Sequence, residues 1–295
     1  MNIDRYILGT AALGGVYGPV DPGTSVRTIL QALEKGIPAV DTAPAYGDAE
    51  IFLGKALKEW SGSKPSVSTK VGRLRSYASH EGLYDFSSET MERSVGESLT
   101  LLGLPKLDVL FLHDPWAIPP GELDMVIDQM QLFRQKGYTD RIGVGGNPPS
   151  TLRPYIDRRV FDVVMEFGRL TAICQDALTD SIPKYASLGI QSYMASPLQL
   201  GLLGRRFDEF TVATPSWLDP VFVRRATAVQ AVASSYGLTL SSLAHRYVFF
   251  APVDIKVVIG PSKPDELGES IKDILSGPLP KEVIEQIRLI SENEC

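Results

Sequence analysis

The sequence of 295 residues predicts a closed (β/α)8 barrel of the TIM type, in which eight parallel strands alternate with helices. Short apolar runs rich in Val, Ile and Leu alternate with longer segments of helical periodicity, and eight such pairs follow one another. Strands of this kind are buried on both faces, which is typical of a parallel sheet covered by helices. The first strand–helix turn, LGTAALGG, lacks the GxGxxG spacing of an open dinucleotide-binding sheet, so that alternative is weaker.

The predicted elements follow this alternation along the chain. The strands are expected at residues 7–10, 39–41, 66–71, 107–112, 141–144, 161–166, 190–195 and 255–259. The helices are expected at residues 25–35, 48–58, 88–102, 122–136, 150–156, 175–188, 221–236, 265–275 and 281–292. Asp48, Ser87 and Asp219 stand at helix N-cap positions, and Pro220 fits a first helical position. No linker-like stretch divides the chain, so we expect one domain over residues 1–295.

Composition and charge exclude several classes of protein. The chain carries 29 Lys and Arg against 35 Asp and Glu, a net charge of −6, which argues against a nucleic-acid surface. No apolar run approaches the ~18 residues of a membrane span, and the first residues lack a signal-peptide pattern. The two cysteines, Cys174 and Cys295, do not make a disulfide framework, so we expect a reducing compartment, the cytoplasm.

Ionisable side chains end three neighbouring predicted strands. Asp41 ends the second strand, Lys70 the third and His113 the fourth. Tyr46 lies five residues after Asp41, in the same loop. Because the carboxyl ends of barrel strands form one rim, where active sites lie, we expect these four side chains to converge.

These side chains suit proton transfer at a carbonyl or alcohol oxygen, the step that accompanies hydride transfer. Tyrosine has an ordinary pKa of ~10, and a nearby ammonium lowers it, so Lys70 is expected to favour the phenolate of Tyr46. Asp41 is placed to keep Lys70 charged and oriented. A neutral His113 is able to donate a hydrogen bond that orients a substrate oxygen.

Each of these residues alone also has an ordinary structural explanation: a turn cap for Asp41, a surface charge for Lys70, a packed ring for His113. Their joint occurrence at consecutive strand ends favours function. His80, in a polar loop, and His245, in a helical stretch, are expected to be structural or surface residues. No spacing of His, Cys and Asp predicts a metal site, and the GxSxG elbow and the P-loop are absent.

The three segments that contain these residues, DTAPAYG, STKVG and FLHDP, resemble the aldo-keto reductase family. The resemblance extends to IGVGGN, ASPLQLGLL and VVIGPSKPDELGES, and so covers nearly the whole chain. It implies a NAD(P)-dependent oxidoreductase in which Tyr46 donates or accepts a proton. It also implies that Lys70 and Asp41 tune Tyr46 and that His113 orients the substrate.

The segment from GRLRSYASHEG to FLHDP is most similar to the sugar-dehydrogenase branch of the family. That branch includes L-fucose, D-threo-aldose, L-galactose and pyridoxal dehydrogenases. The usual reaction of that branch implies that this protein oxidises the anomeric hydroxyl of an aldose to a lactone. Two alternatives stay open: NADPH-dependent reduction of aldehydes or ketones, and a catalytically weak cofactor-binding subunit on the same fold.

The resemblance also implies a set of cofactor contacts. Asn147 matches a position that contacts the nicotinamide amide, and Ser196 and Leu198 match positions along the pyrophosphate. The other matched positions follow the eighth strand and open the next helix: Gly260, Ser262, Lys263, Glu266, Glu269 and Ser270. Backbone N–H groups at a helix N terminus suit a phosphate.

The sequence departs from the family pattern at the nicotinamide and at the barrel bottom. Ala195 stands where many members have a tyrosine stacked on the nicotinamide, and Trp116, Trp217 or Phe167 are candidates to replace it. Only about six residues precede the first strand, too few for the hairpin that commonly closes the bottom of the barrel.

A third departure concerns the choice of cofactor. Glu266 stands where NADP-preferring members have an arginine, and a carboxylate repels a 2′-phosphate, so NAD is favoured. Lys263, which attracts phosphate, argues in the other direction.

The substrate is expected to be a small carbonyl compound or a sugar. Trp116 follows the histidine strand and is expected to overhang the mouth of the barrel, where it would bind the substrate together with Tyr46 and His113. The loop 202–217 is expected either to close over the ligands or to pack as a lid without contacting them. The chain is expected to act as a monomer.

Overall fold

The computed structural model describes residues 3–292, and its eight strands close into one parallel barrel in chain order. The strands are β1 (Tyr6–Gly9), β2 (Ala39–Asp41), β3 (Ser66–Val71), β4 (Leu107–His113), β5 (Thr139–Gly145), β6 (Val163–Phe167), β7 (Gln191–Ala195) and β8 (Ile255–Ile259). Strand β1 pairs with β2 through Ile7 and Ala39 and with β8 through Leu8 and Ile259, which closes the ring. The predicted (β/α)8 barrel is confirmed.

Helices connect the strands and cover the outside of the barrel. They are α1 (Pro22–Glu34), α2 (Ala49–Glu59), α3 (Ser88–Leu102), α4 (Leu123–Gln135), α5 (Arg153–Asp157), α6 (Asp176–Thr179), α7 (Ser181–Leu188), α8 (Phe207–Val212), α9 (Pro220–Ser235), α10 (Leu240–Phe249), α11 (Pro264–Leu275) and α12 (Lys281–Glu292). Ser87 and Asp219 cap α3 and α9 as predicted, each accepting a hydrogen bond from a first-turn N–H. Asp48 stands at the start of α2, but its carboxylate accepts the Tyr77 hydroxyl instead.

The structure differs from the expectation at three helical segments. The helix expected at 175–188 is split at Asp180 into α6 and α7, because Pro183 has no N–H to donate to the Thr179 carbonyl four residues earlier and its ring crowds that carbonyl. The loop before α9 contains the short helix α8. A separate helix, α10, follows α9, and its His245 pairs with Asp273 of α11 at 3.0 Å, in agreement with a structural role.

Large side chains fill the interior of the barrel. Phe111 and Tyr193 meet edge to face at 5.8 Å, within a buried cluster that also holds Ile7 and Met165. Gly143 makes room for this packing, since a Cβ there would lie 2.7 Å from the Phe111 ring. No hairpin precedes β1 among residues 3–292, and this buried cluster fills the interior of the barrel. The open, polar end is the rim at the carboxyl ends of the strands.

The remaining observations of the fold concern the membrane and the cysteines. No helix within residues 3–292 is both long and apolar enough to span a bilayer. Cys174 is buried and forms no disulfide, and Cys295 lies outside the described residues.

Candidate active site

Four side chains converge at the rim above β2, β3 and β4, and we call them the tetrad: Asp41, Tyr46, Lys70 and His113. Asp41 and His113 end their strands, and Lys70 is the next-to-last residue of β3. Tyr46 sits in a tight turn between β2 and α2, where its N–H donates to the Ala43 carbonyl at 3.1 Å. The convergence predicted from the sequence is present.

A buried ion pair forms the base of the tetrad. The Lys70 ammonium donates to Asp41 Oδ2 at 2.6 Å and to the Thr42 carbonyl at 2.9 Å. The Ser68 hydroxyl donates to the other Asp41 oxygen at 2.7 Å. Both charged side chains are almost fully buried, and each therefore depends on the other for its stability in the interior.

Tyr46 lies on this ion pair, yet its hydroxyl stays protonated. The Lys70 ammonium is 4.8 Å from the centre of the Tyr46 ring. Burial raises the pKa of Tyr46 well above its ordinary value, the charge of Asp41 raises it further, and Arg73 opposes the increase. The expected lowering of the Tyr46 pKa by Lys70 is therefore wrong for this protein without ligands. Asp41 pairs with Lys70 at hydrogen-bond distance and so offsets the positive charge that lies near the Tyr46 ring.

His113 is neutral and lies beside Tyr46. The two rings meet edge to face, with their centres 5.7 Å apart and an angle of 89° between them. Burial, followed by the positive charges of Lys70 and Arg73, holds the pKa of His113 well below its usual value. Its Nδ1 atom is buried without a hydrogen-bond partner in the described chain. A neutral imidazole is suited to donate one hydrogen bond to a substrate oxygen.

A second group lies near the tetrad, the Asp114 cluster, in which the predicted Trp116 is joined by three residues that the sequence analysis did not assign: Arg73, Tyr84 and Asp114. Asp114 directly follows His113, and Arg73 follows β3 by two residues. Asp114 accepts hydrogen bonds from Arg73 and from the Tyr84 hydroxyl. His113 was identified because polar residues at the ends of barrel strands are site candidates. The same argument applies to the next residue, Asp114, so the sequence did contain an indication of it. Trp116 is 63% exposed and stands at the mouth as expected.

Asn147, Ser196 and Leu198 lie after β5 and β7, on the other part of the rim. The Asn147 side chain donates to the Phe167 carbonyl at 3.1 Å and accepts from the Phe167 N–H at 2.9 Å. The Ser196 hydroxyl accepts from the Leu200 N–H at 3.1 Å. Leu198 packs against the buried apolar cluster under the β7 loop. In this structure the side chains of Asn147 and Ser196 thus bond to backbone groups of the protein.

Among the aromatic candidates to replace the missing tyrosine, Phe167 is the one beside Ala195. It is the register partner of Ala195 across β6 and β7, it is hydrogen-bonded to Asn147, and 41% of it is exposed. Trp217 instead packs edge-on against Phe210 of α8, and Trp116 packs against Tyr84.

A compact polar group joins the β7 loop to the start of α11, and we call it the β8 cluster: Arg205, Ser262, Lys263 and Glu266. Glu266 accepts hydrogen bonds from the Ser262 N–H and hydroxyl, both at 2.8 Å, and from Arg205 at 2.9 Å. Burial raises the pKa of Glu266, but these bonds from Ser262 and Arg205 outweigh burial and hold it below the usual value. Glu266 is therefore a carboxylate that already has protein partners.

The other residues matched near α11 lie in different environments. Gly260 is exposed directly after β8, and Glu269 is exposed on α11. Ser270 is buried, its hydroxyl lies 2.9 Å from the Tyr6 hydroxyl, and it donates to the Leu267 carbonyl. The structure thus places Ser270 in the interior, away from the rim.

The donors at the start of α11 fit the phosphate of a dinucleotide cofactor. No described side chain caps the N terminus of α11, whereas α1, α3, α9 and α10 each receive such a cap. Lys263, at the N-cap position, is exposed and makes no ion pair within residues 3–292. Free N–H groups, an ammonium, the Ser262 hydroxyl and the Arg205 guanidinium together form an anion-binding set. No group of metal-ligating side chains is found in the described part of the chain.

Comparison with known proteins agrees with this geometry. The model of the aldo/keto reductase family matches residues 5–292. The chain is 30% identical to an L-galactose dehydrogenase of Arabidopsis thaliana, over 99% of this chain and 92% of that protein. It is 25% identical to an NADH-specific methylglyoxal reductase of Escherichia coli (strain K12), over 92% and 90% of the two chains.

A solved structure supports the fold. A glycerol dehydrogenase of Gluconobacter oxydans superposes with a TM-score of 0.77 over 97% of this chain and 90% of that one, at 23% identity. These relatives are oxidoreductases. The first is named a dehydrogenase and the second a reductase.

Proposed function

This chain belongs to the aldo/keto reductase family and is an oxidoreductase enzyme, and we propose that it oxidises the anomeric hydroxyl of an aldose to a lactone with NAD(P). The observation that carries the proposal is the tetrad: Tyr46 lies on the buried Lys70–Asp41 pair and edge-on to His113. The likeness to an L-galactose dehydrogenase supports an aldose as the substrate.

Each tetrad residue has a separate role in the proposal. Tyr46 exchanges the proton of the substrate oxygen through its hydroxyl. His113, neutral and packed against Tyr46, donates a hydrogen bond that fixes that oxygen. Lys70 supplies a positive charge beneath the Tyr46 ring, and Asp41 holds this charge in place. When bound, the nicotinamide supplies the acceptor or donor of hydride.

We assign cofactor binding to the other part of the rim. Asn147 and Phe167 would hold the nicotinamide, with Phe167 in place of the tyrosine missing at Ala195. Ser196, Leu198, Gly260, Ser262 and Lys263 would lie along the phosphates. Glu266 would bring a negative charge to the adenosine ribose, with Glu269 one turn further along α11, and this charge supports a preference for NAD over NADP.

Reduction of aldehydes or ketones is a second candidate, favoured by the protonated state of the Tyr46 hydroxyl. Burial and the charge of Asp41 raise the pKa of Tyr46, so its hydroxyl is protonated at neutral pH. A protonated phenol is ready to donate to a carbonyl oxygen but has to lose its proton before it accepts one from a hydroxyl. The relation to an NADH-specific methylglyoxal reductase supports this direction as well.

One assay distinguishes the two candidates. The protein is incubated with NAD or NADP and a panel of aldopyranoses, and with the reduced cofactors and a panel of aldehydes, while the absorbance of reduced nicotinamide is followed. Turnover of aldopyranoses with a kcat/KM above that of the aldehydes supports lactone formation. Turnover of aldehydes alone would establish the reductase instead.

We further propose that one chain acts as a monomer and as a single domain in the cytoplasm. All four tetrad residues come from the same chain, so no second copy is needed to complete the site. Sedimentation velocity of the active enzyme gives the mass directly, and a dimer would contradict the proposal.

A further inference from the structure

One carboxylate oxygen beside the tetrad has no hydrogen-bond partner in the described chain. Asp114 Oδ2 accepts from Arg73 Nη1 and from the Tyr84 hydroxyl, each at 3.0 Å, while Oδ1 accepts from neither. Gly146, which follows β5, lies beside this oxygen, since a Cβ there would be 3.4 Å from Oδ1, at van der Waals contact. The open oxygen therefore lies at the rim between the ends of β4 and β5.

The backbone of Asp114 adopts a conformation that is uncommon for a residue with a side chain. Its φ of +49° and ψ of +58° are left-handed, and they directly follow His113. The Asp114 N–H donates to the Gly145 carbonyl and the Asp114 carbonyl accepts from the Ala117 N–H, both at 2.9 Å. Strained residues that the surroundings hold in place concentrate at functional sites.

The neighbours of Asp114 fix its carboxylate and add an aromatic surface. Arg73 is itself held by hydrogen bonds to the carbonyls of Ser79 and Glu81, at 2.7 and 3.0 Å. Tyr84 packs edge-on against the exposed Trp116 ring, with 5.6 Å between the ring centres. A fixed acceptor oxygen next to an exposed indole is the combination that binds a sugar, because hydroxyls donate to the oxygen and the C–H face packs on the ring.

We propose that Asp114 Oδ1 and the Trp116 ring form a subsite for the non-reacting hydroxyls of a polyhydroxylated substrate. Asp114 then determines the preference for sugars over molecules that carry the reacting group alone. This inference rests on the proposed function, because it assigns the substrate class of the same active site.

The test compares two substrates that react at the same kind of carbon. One is an aldopyranose, and the other is tetrahydropyran-2-ol, which has the anomeric hydroxyl but no other. In Asp114→Asn, Arg73 and Tyr84 keep the amide oxygen at the Oδ2 position, so an NH2 group replaces only the open acceptor. Asparagine also tolerates left-handed backbone. We expect the ratio of kcat/KM, aldopyranose over tetrahydropyran-2-ol, to fall about tenfold.

The ratio separates recognition from other effects of the substitution. A change in the ionisation of Tyr46 or in folding alters kcat/KM for both substrates alike and therefore cancels in the ratio. Tyr84→Phe is the matched control: it removes one hydrogen bond to Oδ2, leaves Oδ1 unchanged, and should alter the ratio less than twofold. If Asp114→Asn lowers kcat/KM equally for both substrates, Asp114 only anchors the loop and the proposal is overturned.

A failure of the proposed function gives a different result. If the wild-type enzyme oxidises neither cyclic substrate, lactone formation is wrong, and the subsite is then tested in reduction with glyceraldehyde and propanal. A tenfold loss of discrimination between these two in Asp114→Asn supports the subsite. An unchanged ratio rejects it.

Discussion

The two halves of the rim differ in how their polar groups are satisfied. In the tetrad, above β2 to β4, the ion pair is buried and the Nδ1 atom of His113 has no partner among the described residues. In the β8 cluster, Glu266 is fully engaged by Ser262 and Arg205, and on the same half Asn147 is engaged by Phe167. The tetrad is arranged for a reaction before any ligand arrives, whereas on the opposite half Glu266 and Asn147 are bonded to other groups of the protein.

This difference has an energetic consequence. Groups that are fixed in advance by packing lose little on meeting the reacting atoms, which is the condition for electrostatic catalysis. Groups that already bond to one another must exchange those bonds for ligand bonds, so the net gain per contact is small. Substitutions in the tetrad should therefore change rate strongly, and substitutions in the β8 cluster should change affinity modestly.

Tyr46→Phe should give the largest effect and so test the first half of the comparison. Removal of the hydroxyl deletes the proton donor or acceptor but keeps the ring on Lys70, so kcat should fall by about 10²–10⁴-fold. Cofactor affinity, measured by the quenching of intrinsic fluorescence, should stay within about twofold. A kcat within about tenfold of the wild type would remove Tyr46 from the proton transfer.

Lys70→Met should affect both stability and rate. The substitution leaves the Asp41 carboxylate buried without its charge partner, which costs about 3–5 kcal/mol in the free energy of unfolding. Urea denaturation measures this cost. The double variant Lys70→Met with Asp41→Asn should regain part of the stability and none of the activity. Equal stability of the single and double variants would mean that the unpaired Asp41 carboxylate carries no penalty in the interior.

The ionisation of His113 should make stability depend on pH. Burial and the charges of Lys70 and Arg73 hold its pKa well below 6.5 in the folded protein, so only the unfolded chain takes up this proton just below pH 6.5. The free energy of unfolding should therefore fall as the pH falls from 6.5, by up to about 1.4 kcal/mol per pH unit from this residue. Urea denaturation at several pH values measures the slope.

His113→Asn provides the matched control for that slope. The variant lacks the titrating ring, so its free energy of unfolding should decrease less steeply between pH 6.5 and pH 5 than that of the wild type. Parallel profiles would show that His113 is protonated in the folded state over this range.

The sequence predicted the tetrad because its signal is local. Asp41 and His113 end their strands and Lys70 is the next-to-last residue of its strand, and the barrel places such ends on one rim. The ionisation of Tyr46 was not predictable in this way. It depends first on the burial of the Tyr46 ring and then on the charge of Asp41, and both are properties of side-chain packing.

The opposite half shows the same limit at longer range. The turn residues Gly260, Ser262 and Lys263 were located by their place after β8. The bond between Arg205 and Glu266 joins residues 61 positions apart, across a loop whose helix α8 was also not anticipated. Ser270 was misplaced at the rim because helical position alone does not reveal that its hydroxyl meets Tyr6 in the interior.

Glu266→Arg should give the smallest effect and tests the second half of the comparison. The substitution removes the carboxylate that repels a 2′-phosphate and adds a group that binds one, so the ratio of NADP to NAD affinity should rise about tenfold. Titration calorimetry with both cofactors measures it. Glu282→Arg, the same charge change on the exposed face of α12, should leave the ratio unchanged. Because Glu266 already bonds to Ser262 and Arg205 and gains little from a ribose contact, NAD affinity should change little. A fall in NAD affinity of about a hundredfold would mean that Glu266 itself holds the ribose and that the β8 cluster is as prearranged for its ligand as the tetrad is.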